Sequence, residues 1–198
     1  MLSAIFFLII LGFSYAFGSI CSAVIVCSLC KLPDPRVEGS KNPGATNVLR
    51  ISGKKYAAVV LLADVLKGLI PVVLAKMFGL SPMSVGLIGF AAVIGHAYPL
   101  FFDFKGGKGV ATMFGVLLGM SFMLGLVCFV LWFLIALISR YSSLAAIITF
   151  LAAPIFAIGY NPNFSSFSPI LLASLFVVYR HKNNFERLQN GTESKIAF

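Results

Sequence analysis

The sequence predicts an all-α integral membrane protein, and three observations carry this prediction. Of the 198 residues, 60% are hydrophobic and only 11% are charged, and the mean hydropathy of +1.01 lies far above that of globular proteins. The apolar residues form runs about as long as a membrane-spanning helix. The basic residues, which give a net charge of +9, lie in short loops between these runs. The length suits a single membrane-embedded domain, residues 1–198.

The composition also excludes other classes of protein. A charge of +9 suggests nucleic acid, but the chain offers no soluble surface for a basic stripe, so we expect no nucleic-acid partner. Cys27 and Cys30 have Cys-x-x-Cys spacing, yet no second Cys pair or nearby His completes a zinc site. We therefore predict no metal, no cofactor and no obligate protein partner.

The first apolar run, about residues 2–29, predicts one retained helix. It has no basic segment before it, and its apolar core is too long for a signal peptide. The loop that follows, residues 31–55, holds six of the fifteen Lys and Arg residues. Because basic loops remain in the cytoplasm, we expect the N-terminus outside and this loop inside.

The next predicted spans are about residues 56–78 and 84–102, which return the chain to the cytoplasmic side. The apolar run 110–138 is harder to interpret, because at ~1.5 Å per residue it is about 43 Å long, between one span of ~30 Å and two. One tilted helix would place Arg140 outside. Two short helices, broken between Gly119 and Gly125, keep Arg140 inside, and the charge rule favours them.

The last predicted spans are about residues 144–159 and 164–179, separated by the turn-rich segment 161–163. The result is seven transmembrane helices, some of them short, with the N-terminus outside and the C-terminus cytoplasmic. Asp64 and Lys67 lie three residues apart within the second span, where a lone charge costs about 2.5–3.5 kcal/mol. They form either a structural ion pair, or a pair whose Lys67 points towards a polar cavity.

Three polar motifs interrupt the apolar chain, and each combines small or flexible residues with positive charge. The first motif, residues 39–50, places uncharged hydrogen-bonding side chains beside Gly44 and Arg50, whose guanidinium can hold phosphate with two hydrogen bonds. A capped helix start explains two of these polar residues but not all of them. They are Ser40, Asn42, Thr46 and Asn47.

The second motif, residues 104–112, is rich in glycine and contains Lys105 and Lys108. It is not a Walker A loop, because Lys108 is followed by Gly109 and no strand precedes it. A Gly-rich turn that opens a helix at Val110 can hold phosphate with its backbone N–H groups. The alternative is a flexible loop whose lysines bind anionic lipid heads.

The third motif, residues 180–193, contains His181 and Asn184, which share a face if the segment is helical. We expect His181 on the cytoplasmic surface. His96, at the membrane edge, is a second candidate histidine, and Ser139 with Arg140 is a weaker candidate for a phosphate contact.

These motifs resemble the three signatures of the bacterial acyl-phosphate:glycerol-3-phosphate acyltransferases (PlsY), in the family's order and over nearly the whole chain. The matching residues are Gly39-Ser40-x-Asn42-Pro43-Gly44-Ala45-Thr46-Asn47-x-x-Arg50, Gly95-His96-x-x-Pro99 followed by Phe104-Lys105-Gly106-Gly107-Lys108-Gly109-Val110-Ala111-Thr112, and Arg180-His181-x-x-Asn184-x-x-Arg187-Leu188-x-x-Gly191-x-Glu193. Two departures are small: Lys41 stands where the family usually has Gly, and Phe185 where Ile is common.

The resemblance implies an enzyme of the bacterial cytoplasmic (inner) membrane, with its active site facing the cytoplasm, that performs the first acylation of phospholipid synthesis. The 1-hydroxyl of glycerol-3-phosphate attacks an acyl phosphate, giving 1-acyl-glycerol-3-phosphate and inorganic phosphate. The partners are then these two substrates and membrane lipid. A transporter of a phosphorylated metabolite is the alternative function, but it predicts charge distributed through the membrane depth.

The resemblance also implies roles for the motif residues. Arg50 and Lys108 clamp phosphate, with Lys105 assisting. The backbones of residues 44–47 and of Gly106, Gly107, Lys108 and Gly109 hold the acyl phosphate group, while Ser40 and Asn42 position substrate oxygens. His181 and Asn184 orient glycerol-3-phosphate, and either His181 or the departing phosphate accepts the proton.

Overall fold

The computed structural model describes residues 2–160 and 164–196, which are helical wherever they have regular structure. The predicted turn at 161–163 lies outside the described residues. The helices within these ranges are α1 (Leu2–Gly18), α2 (Ser22–Leu29), α3 (Ala45–Ser52), α4 (Lys54–Met77), α5 (Pro82–Ala97), α6 (Val110–Met120), α7 (Phe122–Ser139), α8 (Ser142–Tyr160), α9 (Phe164–Tyr179) and α10 (Lys182–Gln189).

The prediction of one helix over residues 2–29 is wrong, because the chain forms two helices, α1 and α2, that meet at 43°. Gly18 ends α1 against the backbone of Ala92 in α5, and a Cβ at this position would collide with it. The break also frees the carbonyl of Ile20 from helical hydrogen bonding. That carbonyl accepts a hydrogen bond of 2.8 Å from Nζ of Lys67.

The predicted break within residues 110–138 is confirmed, and it falls at Ser121, between α6 and α7. The side chain of Ser121 accepts a hydrogen bond from the backbone N–H of Leu124 and so caps α7. Phe114 of α6 contacts Phe129 and Trp132 of α7, with ring centroids 5.9 and 6.2 Å apart. Residues so far along the chain can meet only if α7 folds back on α6.

Small residues let the central helices approach closely. A Cβ on Gly68 of α4 would collide with the backbone of Thr112 in α6, and a Cβ on Gly115 with the backbone of Val65. Such backbone contact is how helices gain packing energy where lipid surrounds them. Helix α4 is thereby fixed against α6, the helix that follows the Gly-rich motif.

Each predicted span overlaps an apolar helix or, for residues 2–29, the bent pair, but the helix predicted at 84–102 ends already at Ala97. Three helices within the described residues are long and apolar enough to cross a bilayer, Lys54–Met77, Phe122–Ser139 and Ser142–Gly159, and the bent pair makes a fourth if it counts as one span. The 11 residues of α6 extend only about 17 Å, roughly half a bilayer core of ~30 Å. Seven crossings and the orientation of the termini stay predictions.

Candidate active site

The three polar motifs meet at one end of the helical bundle, around a cavity of about 620 Å³. Nζ of Lys108 in the second motif donates a hydrogen bond of 2.5 Å to Oδ1 of Asn184 in the third. The guanidinium of Arg50 in the first motif donates one of 3.0 Å to the carbonyl of Ser194 near the C-terminus. Ten of the fifteen predicted site residues line this cavity: Ser40, Asn42, Gly44, Thr46, Asn47, Arg50, Lys108, Gly109, His181 and Asn184.

The first motif is held in shape by Asn47, which is almost fully buried. Its Oδ1 accepts a hydrogen bond from the backbone N–H of Ser40, and its Nδ2 donates to the carbonyls of Pro35 and Glu38. The amide group therefore has its bonds within the loop, and it folds the preceding segment onto α3. Helix α3 begins directly after Gly44, so its first N–H groups point towards the cavity end of the loop.

The second motif enters α6 through Gly109, whose φ of +85° is a left-handed conformation that favours glycine. The two preceding glycines pack against His96 of α5: a Cβ on Gly107 would collide with the imidazole, and one on Gly106 with backbone oxygens of residues 96 and 97. The backbone N–H of Gly107 donates to the carbonyl of His96 at 3.1 Å. The loop is packed rather than free, and it presents Lys108 to the cavity.

The third motif is organised by Glu193, a carboxylate that accepts hydrogen bonds from three side chains. Oε1 accepts from Nδ2 of Asn184 and from Oγ of Ser143, both at 2.8 Å, and Oε2 accepts from Nε of Arg187 at 2.7 Å. These hydrogen bonds hold the pKa of Glu193 below its ordinary value, although partial burial opposes them. Because Nδ2 of Asn184 donates to Glu193, its Oδ1 is turned towards Lys108.

His181 is not on the surface as predicted, because its side chain is only 3% exposed. It directly precedes α10, and its Nδ1 lies 2.7 Å from the carbonyl of Val177. A carbonyl accepts only from N–H, so Nδ1 carries the proton and Nε2 keeps a lone pair. Burial, with the nearby charge of Lys108, lowers the pKa of His181 to about 4. The imidazole is thus neutral at pH 7 and lines the cavity as a hydrogen-bond acceptor.

The positive charge of Lys108 acts on His181 more strongly than that of Arg180. Burial lowers the pKa of Lys108 to about 8, while the charge of Glu193 opposes this shift. The ammonium is therefore charged at neutral pH but poorly hydrated. Such a group gains strongly from an anionic ligand, because the ligand replaces the water that burial has removed.

Apolar residues also form part of the cavity wall. They are Ala57, Ala58 and Leu61 of α4, Val110, Ala111 and Phe114 of α6, and Phe129 and Trp132 of α7. The cavity therefore combines charged and hydrogen-bonding groups with aromatic and aliphatic surface. This mixed lining suits a ligand with an anionic head and a hydrocarbon tail.

Five predicted site residues do not line the cavity. Besides the two glycines that pack on His96, these are Lys105, which is exposed, and Ser139 and Arg140. Oγ of Ser139 donates to the carbonyl of Ile135 within α7 and accepts from the backbone N–H of Tyr141. The carbonyl of Arg140 accepts a hydrogen bond of 2.7 Å from the N–H of Ile196, so this residue anchors the C-terminal segment through its backbone.

His96, the second candidate histidine, also lines the cavity, and the sequence reasoning missed four further lining residues: Ser142, Ser143, Asp64 and Glu193. Glu193 stood within the third motif but had no assigned role, and the two serines directly follow Arg140 at the start of α8. Within residues 2–160 and 164–196, no three His, Cys, Asp or Glu side chains cluster closely enough to hold a metal ion.

The fold and the cavity together define a helical membrane protein with a basic, half-apolar binding site. A family model described as glycerol-3-phosphate acyltransferase matches residues 8–191. A glycerol-3-phosphate acyltransferase of Methylococcus capsulatus is 48% identical over 189 residues, which cover 96% of both chains. One from Shewanella sp. (strain W3-18-1) is 51% identical over 184 residues, covering 93% of this chain and 90% of the relative.

Solved structures agree with the sequence relatives. The chain is similar to the crystal structure of PlsY (YgiH), an integral membrane glycerol 3-phosphate acyltransferase, in its glycerol 3-phosphate form, with a TM-score of 0.92, 40% identity and 96% coverage of both chains. The lysophosphatidic acid form of that protein gives a TM-score of 0.89 at 38% identity. The chain belongs to the glycerol-3-phosphate acyltransferase family. It is accordingly a multi-pass membrane protein of phospholipid biosynthesis, and the predicted resemblance is confirmed.

Proposed function

We propose that this protein transfers a fatty acyl group from acyl phosphate to the 1-hydroxyl of sn-glycerol-3-phosphate, forming 1-acyl-glycerol-3-phosphate and inorganic phosphate. The observation that carries the proposal is the mixed lining of the cavity, which combines Arg50, Lys108 and Asn184 with the apolar rings of Phe114 and Trp132. An acyl phosphate likewise combines an anionic head with a hydrocarbon tail. Family membership favours this enzyme over a transporter.

In the proposed reaction, the 1-hydroxyl oxygen attacks the carbonyl carbon of the acyl phosphate. A tetrahedral intermediate forms, and the bond from this carbon to the phosphate oxygen then breaks, so that the electron pair leaves with phosphate. A mixed anhydride has a good leaving group, and direct transfer therefore needs no covalent enzyme intermediate. The proton of the hydroxyl passes either to Nε2 of His181 or to the departing phosphate.

The cavity supports a role for each charged group. Lys108 and Arg50 balance phosphate charge, and Lys108 is the better placed to stabilise the leaving group because it is partly desolvated. Asn184 and neutral His181 lie where they can orient the attacking hydroxyl, since both line the cavity beside Lys108. Rate acceleration would rest on positioning and on charge stabilisation.

We propose further that the cavity faces the cytoplasm of a bacterial inner membrane. The support is the distribution of charge: the basic loops 31–55, 103–109 and 180–195 meet at the cavity end of the bundle. Such an excess of Lys and Arg marks cytoplasmic loops. Water-soluble glycerol-3-phosphate would then enter from the cytoplasm and the acyl tail from the bilayer.

Product formation tests the proposal. The protein purified in detergent should convert acyl phosphate and radiolabelled glycerol-3-phosphate to lysophosphatidic acid, with one phosphate released for each product. The matched control is Arg50→Ala protein of equal yield, which should be strongly impaired. A folded preparation that forms no lysophosphatidic acid, while homologous enzymes do so in the same assay, would contradict the proposed function.

The donor is tested separately. We expect activity to survive EDTA and to need neither ATP nor acyl carrier protein when acyl phosphate is supplied, because no metal or nucleotide takes part in the proposed step. Full activity of the purified protein with acyl-CoA alone would show that the proposed donor is wrong, while leaving glycerol-3-phosphate as the acceptor.

A further inference from the structure

A buried polar cluster lies under the Gly-rich loop, beside the cavity. Nζ of Lys67 is 2.9 Å from a carboxylate oxygen of Asp64, and the hydroxyl of Ser22 donates to that same oxygen. Nδ1 of His96 lies 3.7 Å from it. All four side chains are buried, although they come from α2, α4 and α5.

Burial beside this cluster confines the imidazole of His96. The carboxylate of Asp64, which is paired with Lys67, lies near Nδ1 of the imidazole. Nζ of Lys67 also donates a hydrogen bond to the carbonyl of Ile20, at the break between α1 and α2. The side chains of Lys67, Asp64 and His96 are 4%, 3% and 6% exposed, so the ring has little room to change rotamer.

The other edge of the imidazole supports the Gly-rich loop. The three atoms nearest to a Cβ on Gly107 would all belong to the ring of His96, namely Nε2, Cε1 and Cδ2. The N–H of Gly107 donates to the carbonyl of His96, and its carbonyl accepts a hydrogen bond of 3.0 Å from Arg180. Gly107 is thus held on both sides, immediately before Lys108.

We infer that His96 is a positioning residue for the transferase reaction: its ring, confined by burial beside the Asp64 carboxylate, sets the position of the Gly107 backbone and thereby how far Lys108 extends into the cavity. The inference rests on the proposed function for its catalytic meaning. It explains why His96, which takes no part in the proposed chemistry, lies buried between the Asp64–Lys67 pair and the Gly-rich loop.

The test is a double-mutant cycle between His96 and Gly107. Gly107→Ala should raise the KM of one of the two phosphate substrates about tenfold, while kcat changes less than about threefold, because the displaced Lys108 binds that substrate less well. His96→Ala should also raise this KM. In the His96→Ala background, adding Gly107→Ala should have little further effect, since the ring that the new methyl group meets is gone.

Gly106→Ala is the matched control. Its Cβ would meet the backbone oxygens of residues 96 and 97 and the ring of Pro99, all of which remain in His96→Ala. Gly106→Ala should therefore be equally harmful in both backgrounds. The inference is overturned if Gly107→Ala costs the same factor with and without the imidazole, or if it leaves the KM unchanged in the otherwise unaltered protein.

Thermal unfolding of the same variants in detergent provides a readout that needs no activity. Gly107→Ala should lower the unfolding temperature, and in the His96→Ala background it should lower it less. An unaltered protein without transferase activity would contradict the proposed function, whereas additive unfolding shifts would contradict the contact itself. The two failures are therefore distinguishable.

Discussion

At the scale of single residues, Arg50 has the geometry expected of a phosphate ligand. It is an exposed guanidinium at the cavity wall, and its hydrogen bond goes to the backbone carbonyl of Ser194, which an anion can replace. Lys at this position keeps the charge but loses the planar fork that binds two phosphate oxygens.

Arg50→Lys should therefore lower kcat/KM tenfold or more, on the order of 1.4 kcal/mol or above. The measurement is steady-state kinetics in detergent. Arg36→Lys is the control, because Arg36 pairs with Asp34 away from the cavity and should retain normal kinetics. Near-normal turnover in both Arg50→Ala and His181→Ala would show that the active site lies elsewhere.

His181 distinguishes two mechanisms. A general base contributes about 10²–10⁴-fold, so His181→Ala should lower kcat within this range if Nε2 accepts the proton. If the departing phosphate accepts it, His181→Asn or His181→Gln should retain much of the rate, because an amide can still orient the hydroxyl. Since His181 is buried, protein yield and unfolding temperature must be measured for each variant.

The pKa of Lys108 predicts the alkaline side of the pH profile. Its value of about 8 means that the ammonium loses its proton, and the phosphate loses its counter-charge, as the pH rises through this value. The value of kcat/KM should therefore fall as the pH rises through about 8. In Lys108→Arg the fall should move to higher pH, because Arg stays charged throughout.

The pH profiles of Lys108→Arg and of the unaltered protein are each normalised to their own maximum, so that their shapes are compared and not their absolute rates. Lys55→Arg, an exposed lysine that does not line the cavity, should leave the profile unchanged. Identical alkaline limbs in Lys108→Arg and the unaltered protein would show that Lys108 is not the titrating group.

The polar residues at the cavity were largely predictable from the sequence, but their burial was not. Ten predicted residues line the cavity because motifs dense in Gly, Asn and basic residues have few uses between apolar helices. His181 was expected on the surface, since its neighbours along the chain are Arg180 and Lys182. Its burial arises in the folded bundle, where the charge of Lys108, 73 residues earlier in the chain, acts on it, and no local sequence pattern predicts this.

At the scale of helices, the bend between α1 and α2 is the feature that apolar periodicity missed. Ser19, Ile20 and Cys21 fit an apolar run, so the sequence gives no reason for a break there. The reason lies on α4, where Nζ of Lys67 donates a hydrogen bond to the carbonyl of Ile20 and the carboxylate of Asp64 accepts one from the hydroxyl of Ser22. By contrast, the break at Ser121 was predictable, because the length of the run 110–138 fits neither one span nor two.

The Asp64–Lys67 pair should stabilise this junction only while both charges remain. Lys67→Met leaves a buried carboxylate without its counter-charge, which typically costs about 3–5 kcal/mol. The double variant Asp64→Asn/Lys67→Met buries no charge and should recover most of the loss. Thermal unfolding in detergent measures both.

Lys76→Met is the control for the pair. Lys76 is a partly exposed cation on the same helix that donates only to the carbonyls of Gly119 and Met120, so its loss should cost less than that of Lys67. A double variant no more stable than Lys67→Met would show that the two charges do not compensate each other.

At the scale of the whole molecule, the three motifs share one end of the bundle. Two observations establish this: the hydrogen bond from Arg50 to Ser194 joins the first motif to the C-terminal segment, and that from Lys108 to Asn184 joins the second to the third. The reversal between α6 and α7 makes this possible, because it returns the chain to the end where α6 began. Which side of the membrane this end faces follows only from the charge rule.

Cysteine labelling tests that orientation. In a background lacking the four native cysteines, single cysteines at Lys41, Lys105 and Lys182, all exposed, should be shielded from an impermeant thiol reagent added outside intact cells. All three should react once the membrane is permeabilised. A cysteine at Met83, near the predicted outer turn between α4 and α5, should react from outside and shows that the reagent reaches the protein.

Labelling of all three motif positions in intact cells would show that the orientation is the reverse of the one predicted. Labelling of Lys182→Cys alone would contradict the seven-helix topology, because the chain would then cross the membrane once between Gly109 and Arg140.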